Sequence, residues 1–238
     1  MQNNLIHKFQ LLRLLTEIVD NPILSQNIYF KGGTAAAMQG FLDRFSIDLD
    51  FDLREGSNRS LLRSEFSQIF KKLDLSLEND NDKTLFFVLK YKSSKNQRNT
   101  LKLSVYEEII KSNDYKPVFL PEIDRFVITQ TKETMFANKL VAPIDRFQKH
   151  GKIAGRDIYD IHYFFSQGYR FKKEIIEERM KTDVISYIHI LIDFIEKEIT
   201  EVVLTEDLNT LLPNDKFKKI RKTLKGEVLI FLRSLKMV

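Results

Sequence analysis

Residues 47 to 53 read Ile-Asp-Leu-Asp-Phe-Asp-Leu, an alternation with a period of two. Successive side chains of a β-strand point to opposite faces. A strand here puts Asp48, Asp50 and Asp52 on one face and Ile47, Leu49, Phe51 and Leu53 on the other. The apolar face suits a core. The acidic face is costly, because neighbouring carboxylates lie roughly 6.5–7 Å apart at their Cα atoms and repel unless a cation lies between them. Hard oxygen ligands converging on one point suit Mg²⁺, and two-ion phosphoryl-transfer sites use this arrangement. A solvated acidic edge strand would show the same alternation, so the residues before it decide the reading.

Those residues are Tyr29-Phe30-Lys31-Gly32-Gly33-Thr34-Ala35-Ala36-Ala37, which reads as strand, tight turn and helix. Two glycines allow positive φ and close approach of a ligand to the backbone. Thr34 is expected to cap the helix with its hydroxyl, and the helix start offers free N–H groups to a phosphate. The segment is not a Walker A loop, since no Gly-Lys-Ser/Thr follows at the required spacing. A phosphate-binding turn, a short helix and an acidic strand together resemble the local design of polymerase-β-like nucleotidyltransferases.

The rest of the chain sorts into two halves. Helical spacing runs over Leu5 to Val19 and ends at Asn21-Pro22; it returns over Leu61 to Leu73. Three β-rich runs follow, Asp74 to Leu77, Thr84 to Tyr91 and Thr100 to Tyr106, with Ser93 to Asn99 as a hairpin loop. Pro117 and Pro121 mark a loop region. Helices are predicted over Lys132–Val141, Arg156–Phe165, Lys172–Met180, Asp183–Ile199, Glu201–Leu212 and Lys216–Lys236. The expected fold class is α+β, a mixed β-sheet with flanking helices over residues 1–130 followed by an all-helical domain over 131–238.

Composition narrows the function classes. With 238 residues, 43% hydrophobic and 19 Phe, the chain can bury a sizeable core and is not disordered. It has no Cys, which removes disulfides, thiolate metal sites and Cys nucleophiles. No apolar run approaches the ~20 residues of a membrane span, and the N-terminus lacks a signal-peptide core; a cytoplasmic protein is expected. The net charge of +5 is localised. Residues 214–238 hold eight Lys/Arg against two acids, while the other 213 residues hold 30 against 31. That basic C-terminal segment is either a solvated helix face or a contact for a phosphate backbone. The four histidines are too scattered in sequence to suggest a metal site.

Four motifs in order resemble the AbiEii/MenT-type nucleotidyltransferase family: Lys31-Gly32-Gly33-Thr34, then Arg44-Phe45-Ser46-Ile47-Asp48-Leu49-Asp50-Phe51, then Asn138-Lys139-Leu140-Val141-Ala142, then Gly155-Arg156-Asp157-Ile158-Tyr159-Asp160-Ile161. The resemblance implies a Mg²⁺- or Mn²⁺-dependent transfer of an NMP from an NTP to an acceptor, RNA or tRNA foremost. It also implies toxins of toxin–antitoxin or abortive-infection systems, with an antitoxin protein as partner. Residue by residue, it implies metal binding by Asp48 and Asp50, and nucleotide binding by Lys31, Gly32, Gly33, Thr34, Ser46 and Lys139. Asp48, Asp50, Lys139 and Asp157 are the implied catalytic set. One departure is visible. Where many nucleotidyltransferases carry a third carboxylate on a later strand, the outward face of residues 101–106 offers Lys102, Ser104 and Tyr106, so the expected acid is Ser104. Asp52, Glu107 or Glu108 could substitute, a water could fill in, or the catalytic base is weak. A protein hydroxyl as acceptor, and a nucleotide- or partner-binding module without turnover, stay open at this point.

Overall fold

The computed structural model describes residues 2–80, 83–93 and 99–235. The centre of the hairpin loop expected between Ser93 and Asn99 lies outside them, as does Lys236. The chain divides into two compact units. The first comprises Met1–Gly40, Ser46–Ile109 and Tyr115–Gln130; the second comprises Phe41–Phe45, Ile110–Asp114 and Thr131–Val238.

The first unit is built on a seven-stranded mixed sheet. Its strands are β1 (Ile28–Lys31), β2 (Asp48–Leu53), β3 (Ser76–Asp80), β4 (Leu85–Lys90), β5 (Thr100–Tyr106), β6 (Tyr115–Leu120) and β7 (Arg125–Gln130), in the spatial order β3-β4-β5-β2-β1-β7-β6. The β2–β5 and β1–β7 pairs are parallel and the others antiparallel. The alternation of residues 47–53 does what the pattern predicts. Leu49 and Phe51 are buried in the core, with the Phe51 ring 5.3 Å from that of Phe30. Helix α1 (Gln2–Asp20) contributes Leu11, Leu14, Leu15 and Ile18 to the same core. Helix α4 (Arg59–Lys72) adds Phe66 and Phe70, whose rings pack on Phe87 of β4. Between α1 and β1, Asn21 caps the short α2 (Pro22–Asn27) by accepting from the Ile23 and Leu24 N–H groups.

The region read as a loop around Pro117 and Pro121 is instead the β6–β7 hairpin. The proline misleads because it cannot donate to a ladder, yet β6 is the outermost strand, where one face of the backbone needs no partner. Pro121 lies just past the strand, in the turn that links it to β7.

The second unit is helical, with α5 (Lys132–His150), α6 (Gly155–Ser166), α7 (Lys173–Met180), α8 (Val184–Glu198), α9 (Glu201–Leu208), α10 (Asn214–Ile220) and α11 (Leu224–Ser234). Helix α5 runs nine residues beyond the predicted Val141, straight through Pro143, which is buried inside it. Thr131 caps its start, and Gly151 at φ +62 ends it. The expected single helix over 216–236 is two, broken at residues 221–223. Both turn apolar residues inward: Phe217 from α10, and Leu224, Val228 and Leu232 from α11, are buried.

Candidate active site

In the first unit the candidate site grows out of the junction of β1 with the next helix, α3 (Gly32–Met38). Gly32 has φ +82, where an L-residue is strained. A Cβ at Gly32 would also stand 2.5 Å from Asp50 Oδ2. The second carboxylate of β2 therefore rests directly against the glycine turn, so two motifs 18 residues apart meet. Gly33 needs no such freedom, being an ordinary helical residue buried in the first turn of α3.

Thr34 does not cap the helix as expected. The helix starts two residues earlier, at Gly32, with Lys31 in the cap position and no side-chain cap. The Thr34 hydroxyl donates instead to the Asp48 carbonyl and lies 3.0 Å from Ser46 Oγ. Thr34 and Ser46 thus fix the entry into β2, which sets where Asp48 and Asp50 stand.

Sheet register places the other groups. Antiparallel pairing sets Lys31 opposite Asp50 and Tyr29 opposite Asp52. Parallel pairing sets Lys102, Ser104 and Tyr106 beside Asp48, Asp50 and Asp52. Ser104, at the position of the expected third carboxylate, is thus the direct ladder partner of Asp50. The Lys31 ammonium lies 2.5 Å from Asp52 Oδ1 and 3.8 Å from the centre of the Tyr106 ring. Asp52 Oδ2 accepts from the Tyr115 hydroxyl at 2.8 Å and from the Gln130 amide at 2.6 Å. Asp52 is buried, and these three donors hold both its oxygens. Glu107 sits beyond the strand, accepting from the Leu85 N–H at 3.3 Å and facing Arg59 at 3.4 Å.

Asp48 and Asp50 suit a divalent cation. They supply hard oxygen donors from one face of one strand, and Asp50 is set against a glycine where no side chain could fit. They are two rather than three: among the described residues, no three His, Cys, Asp or Glu side chains cluster as a metal site.

In the second unit the implied site residues fall into two ion clusters. Asp160 of α6 is completely buried. Arg44 grips it with Nε and Nη2 at 2.5 and 2.8 Å, and Lys139 of α5 reaches Oδ2 at 2.7 Å. Burial alone would raise the Asp160 pKa, but the charges of Arg44 and Lys139 outweigh it and hold the carboxyl below its ordinary range. Burial likewise disfavours the Arg44 charge, and the Asp160 carboxylate more than restores it. Two cations on one carboxylate leave this cluster with a net charge of +1. Asp157, one turn earlier on α6, is held separately by Arg146 of α5 at 2.8 and 3.3 Å. Both of its oxygens are thereby engaged. Arg44 and Asp160 lie inside the sequence motifs without a role implied for either; the signal for Asp160 was its position three residues after Asp157 on one helix.

The basic C-terminal segment is partly internal. Lys216 pairs with Asp43, and Arg233 with Glu196. Lys225 donates to the Glu196 and Ile199 carbonyls at the end of α8. Lys218, Lys219 and Lys222 are exposed. Among the described residues no helix is long and apolar enough to cross a membrane.

Comparison with known proteins gives the fold and the family. The family model "Nucleotidyl transferase AbiEii toxin, Type IV TA system" matches residues 13–231. No curated protein matches the chain. Among solved structures, a candidate nucleotidyltransferase from H. pylori superposes with a TM-score of 0.63 at 20% identity, covering 100% of this chain and 96% of its own. JHP933 from Helicobacter pylori gives 0.56 at 18%, covering 100% and 95%. MenT4, a nucleotidyltransferase toxin from Mycobacterium tuberculosis, gives 0.54 at 12%, covering 97% and 84%. At these identities the structural likeness speaks for the fold, and the family match carries the assignment. The chain belongs to the AbiEii family of nucleotidyl transferase toxins of type IV toxin–antitoxin systems, a nucleotidyltransferase whose family implies an NTP substrate and an antitoxin counterpart.

Proposed function

We propose that this nucleotidyltransferase moves an NMP from an NTP onto a hydroxyl of an RNA, with tRNA as the first acceptor to try, in a reaction that depends on Mg²⁺ or Mn²⁺. The observation that carries this reading is the contact of Asp50 with the Gly32 turn, which brings the acidic strand and the glycine motif into one place. Asp48 and Asp50 would hold the divalent ion. When bound, such an ion supplies positive charge against the triphosphate.

The chemistry is a single displacement. The acceptor oxygen forms a bond to the α-phosphorus, the bond from that phosphorus to the bridging oxygen breaks, and pyrophosphate leaves. The hydroxyl proton passes to water or to a base. Negative charge grows on the leaving pyrophosphate, so a fixed cation helps most there. The family resemblance gives Lys139 a role toward nucleotide phosphates, and its cluster carries one more positive than negative charge. Gly32 and Gly33 shape the turn, while Thr34 and Ser46 set the start of β2. Lys31 acts on the turn through Asp52, and Asp157 acts on α5 through Arg146. We further propose a division into a nucleotidyltransferase core, residues 1–130, and a helical C-terminal domain, 131–238. Contact with RNA falls to the exposed Lys218, Lys219 and Lys222, and the protein works in the cytoplasm.

The test is incubation with Mg²⁺, each labelled NTP in turn and total tRNA, beside a variant carrying Asp48→Ala and Asp50→Ala. Label on tRNA that depends on both aspartates is expected. Transfer no greater than the variant's, with every NTP and acceptor, would refute the reading. Label on protein instead of RNA would change the acceptor and keep the chemistry. A second reading is favoured by Ser104 beside Asp50: the fold binds NTP without turnover. It predicts nucleotide binding by calorimetry with no pyrophosphate released.

A further inference from the structure

Of the three aspartates on the acidic face of β2, Asp52 is neutralised by an ion pair within the protein. Asp52 faces Lys31 at 2.5 Å, and its other oxygen is held by Tyr115 and Gln130. It is buried, so recruiting it to a metal would mean breaking an ion pair and two hydrogen bonds away from water. The strand on the other side of β2 offers no replacement, since Ser104 is the neighbour of Asp50 there. A neutral hydroxyl is a weaker ligand than a carboxylate for a hard cation. Two ions a few ångströms apart need bridging carboxylates to offset their mutual repulsion.

We infer that this site holds one divalent ion, bound by Asp48 and Asp50, and that the Lys31–Asp52 pair stands where a second ion would otherwise find its ligand. The Tyr106 ring, 3.8 Å from the Lys31 ammonium, covers that cation and keeps it on the acidic face. Asp52 is then a positioning residue for Lys31. With one ion, no second metal activates the acceptor hydroxyl, so its proton is lost by another route.

The inference rests on the reading of Asp48 and Asp50 as metal ligands. Its test is a count of bound Mn²⁺ by electron paramagnetic resonance. The full chain is saturated with an NTP analogue that cannot be cleaved between its α- and β-phosphates. One Mn²⁺ per chain is expected in the wild type. Asp52→Asn, which keeps the size of the side chain, should leave the count at one and the Mn²⁺ affinity within about threefold. Two Mn²⁺ per wild-type chain overturns the inference whether or not the variant folds. An Mn²⁺ affinity that falls tenfold or more in well-folded Asp52→Asn also overturns it, by making Asp52 a ligand. A different failure has its own signature. If Asp48→Asn combined with Asp50→Asn leaves the Mn²⁺ affinity unchanged, the underlying assignment of the metal ligands is wrong, and this inference falls with it.

Discussion

Two lysines from the motifs of this chain each end on a buried aspartate, and the two pairs are built differently. Lys31 on β1 meets Asp52, which also accepts from the neutral Tyr115 and Gln130. Lys139 on α5 meets Asp160, whose remaining partner is the cation Arg44. The first arrangement cancels its charge; the second leaves one positive charge over. A cation already matched by a carboxylate shapes its surroundings, while a surplus cation has something to offer an anion. On the proposed function, Lys139 is the cation offered to a nucleotide phosphate and Lys31 supports the turn.

The comparison can be broken or sharpened in several ways, beginning with the proposed metal ligands. Replacing Asp48 and Asp50 by Asn should lower nucleotidyl transfer by about three orders of magnitude, equivalent to about 4 kcal/mol of barrier, in a steady-state assay. The thermal midpoint should stay close to that of the wild type. Asp160→Asn should act on the fold instead. It leaves the buried Arg44 and the half-buried Lys139 without their carboxylate, so urea unfolding should show a loss of about 3–5 kcal/mol. Gly32→Ala comes next: the new methyl displaces the Asp50 carboxylate, and transfer should fall about a hundredfold. The strain at positive φ should lower stability by only about 1–2 kcal/mol. Thr34→Val, which removes the bond to the Asp48 carbonyl, should cost about 1 kcal/mol of stability.

The Asp160 cluster also sets a pH dependence. Its carboxyl binds a proton more weakly in the folded protein than in the unfolded chain, where the pKa is near 3.9. The stability it contributes is therefore fully present above about pH 4 and is lost as pH falls toward the lower folded value. The stability gap between wild type and Asp160→Asn should narrow as pH falls below about 4, followed by chemical denaturation.

These predictions also separate what the sequence could disclose from what it could not. The faces of β2 were legible because a period of two has one structural meaning, and the register followed once its neighbours were strands. The turn was legible because glycines in that setting need a reason, although only Gly32 supplies one. The β6–β7 hairpin was hidden by Pro117, a residue that argues against a strand everywhere except on an edge, and edge position is a property of the whole sheet. The break between α10 and α11 was hidden because a run of lysines continues across it. The partners of the site acids were hidden for a deeper reason. Arg44 and Asp160 are 116 residues apart, Lys31 and Asp52 are 21, and only tertiary packing decides which carboxylate meets which cation. Spacing on a helix said that Asp157 and Asp160 were neighbours. It did not say that Arg146 would take the first, while Arg44 and Lys139 shared the second.

The difference between the two lysines is tested most directly by calorimetric titration of a non-cleavable NTP analogue into wild type, Lys31→Met and Lys139→Met. Removal of the surplus cation in Lys139→Met should weaken binding tenfold or more, about 1.4 kcal/mol. Lys31→Met should stay within about threefold of the wild type. Equal losses in the two variants, or a larger loss at Lys31, would contradict the account.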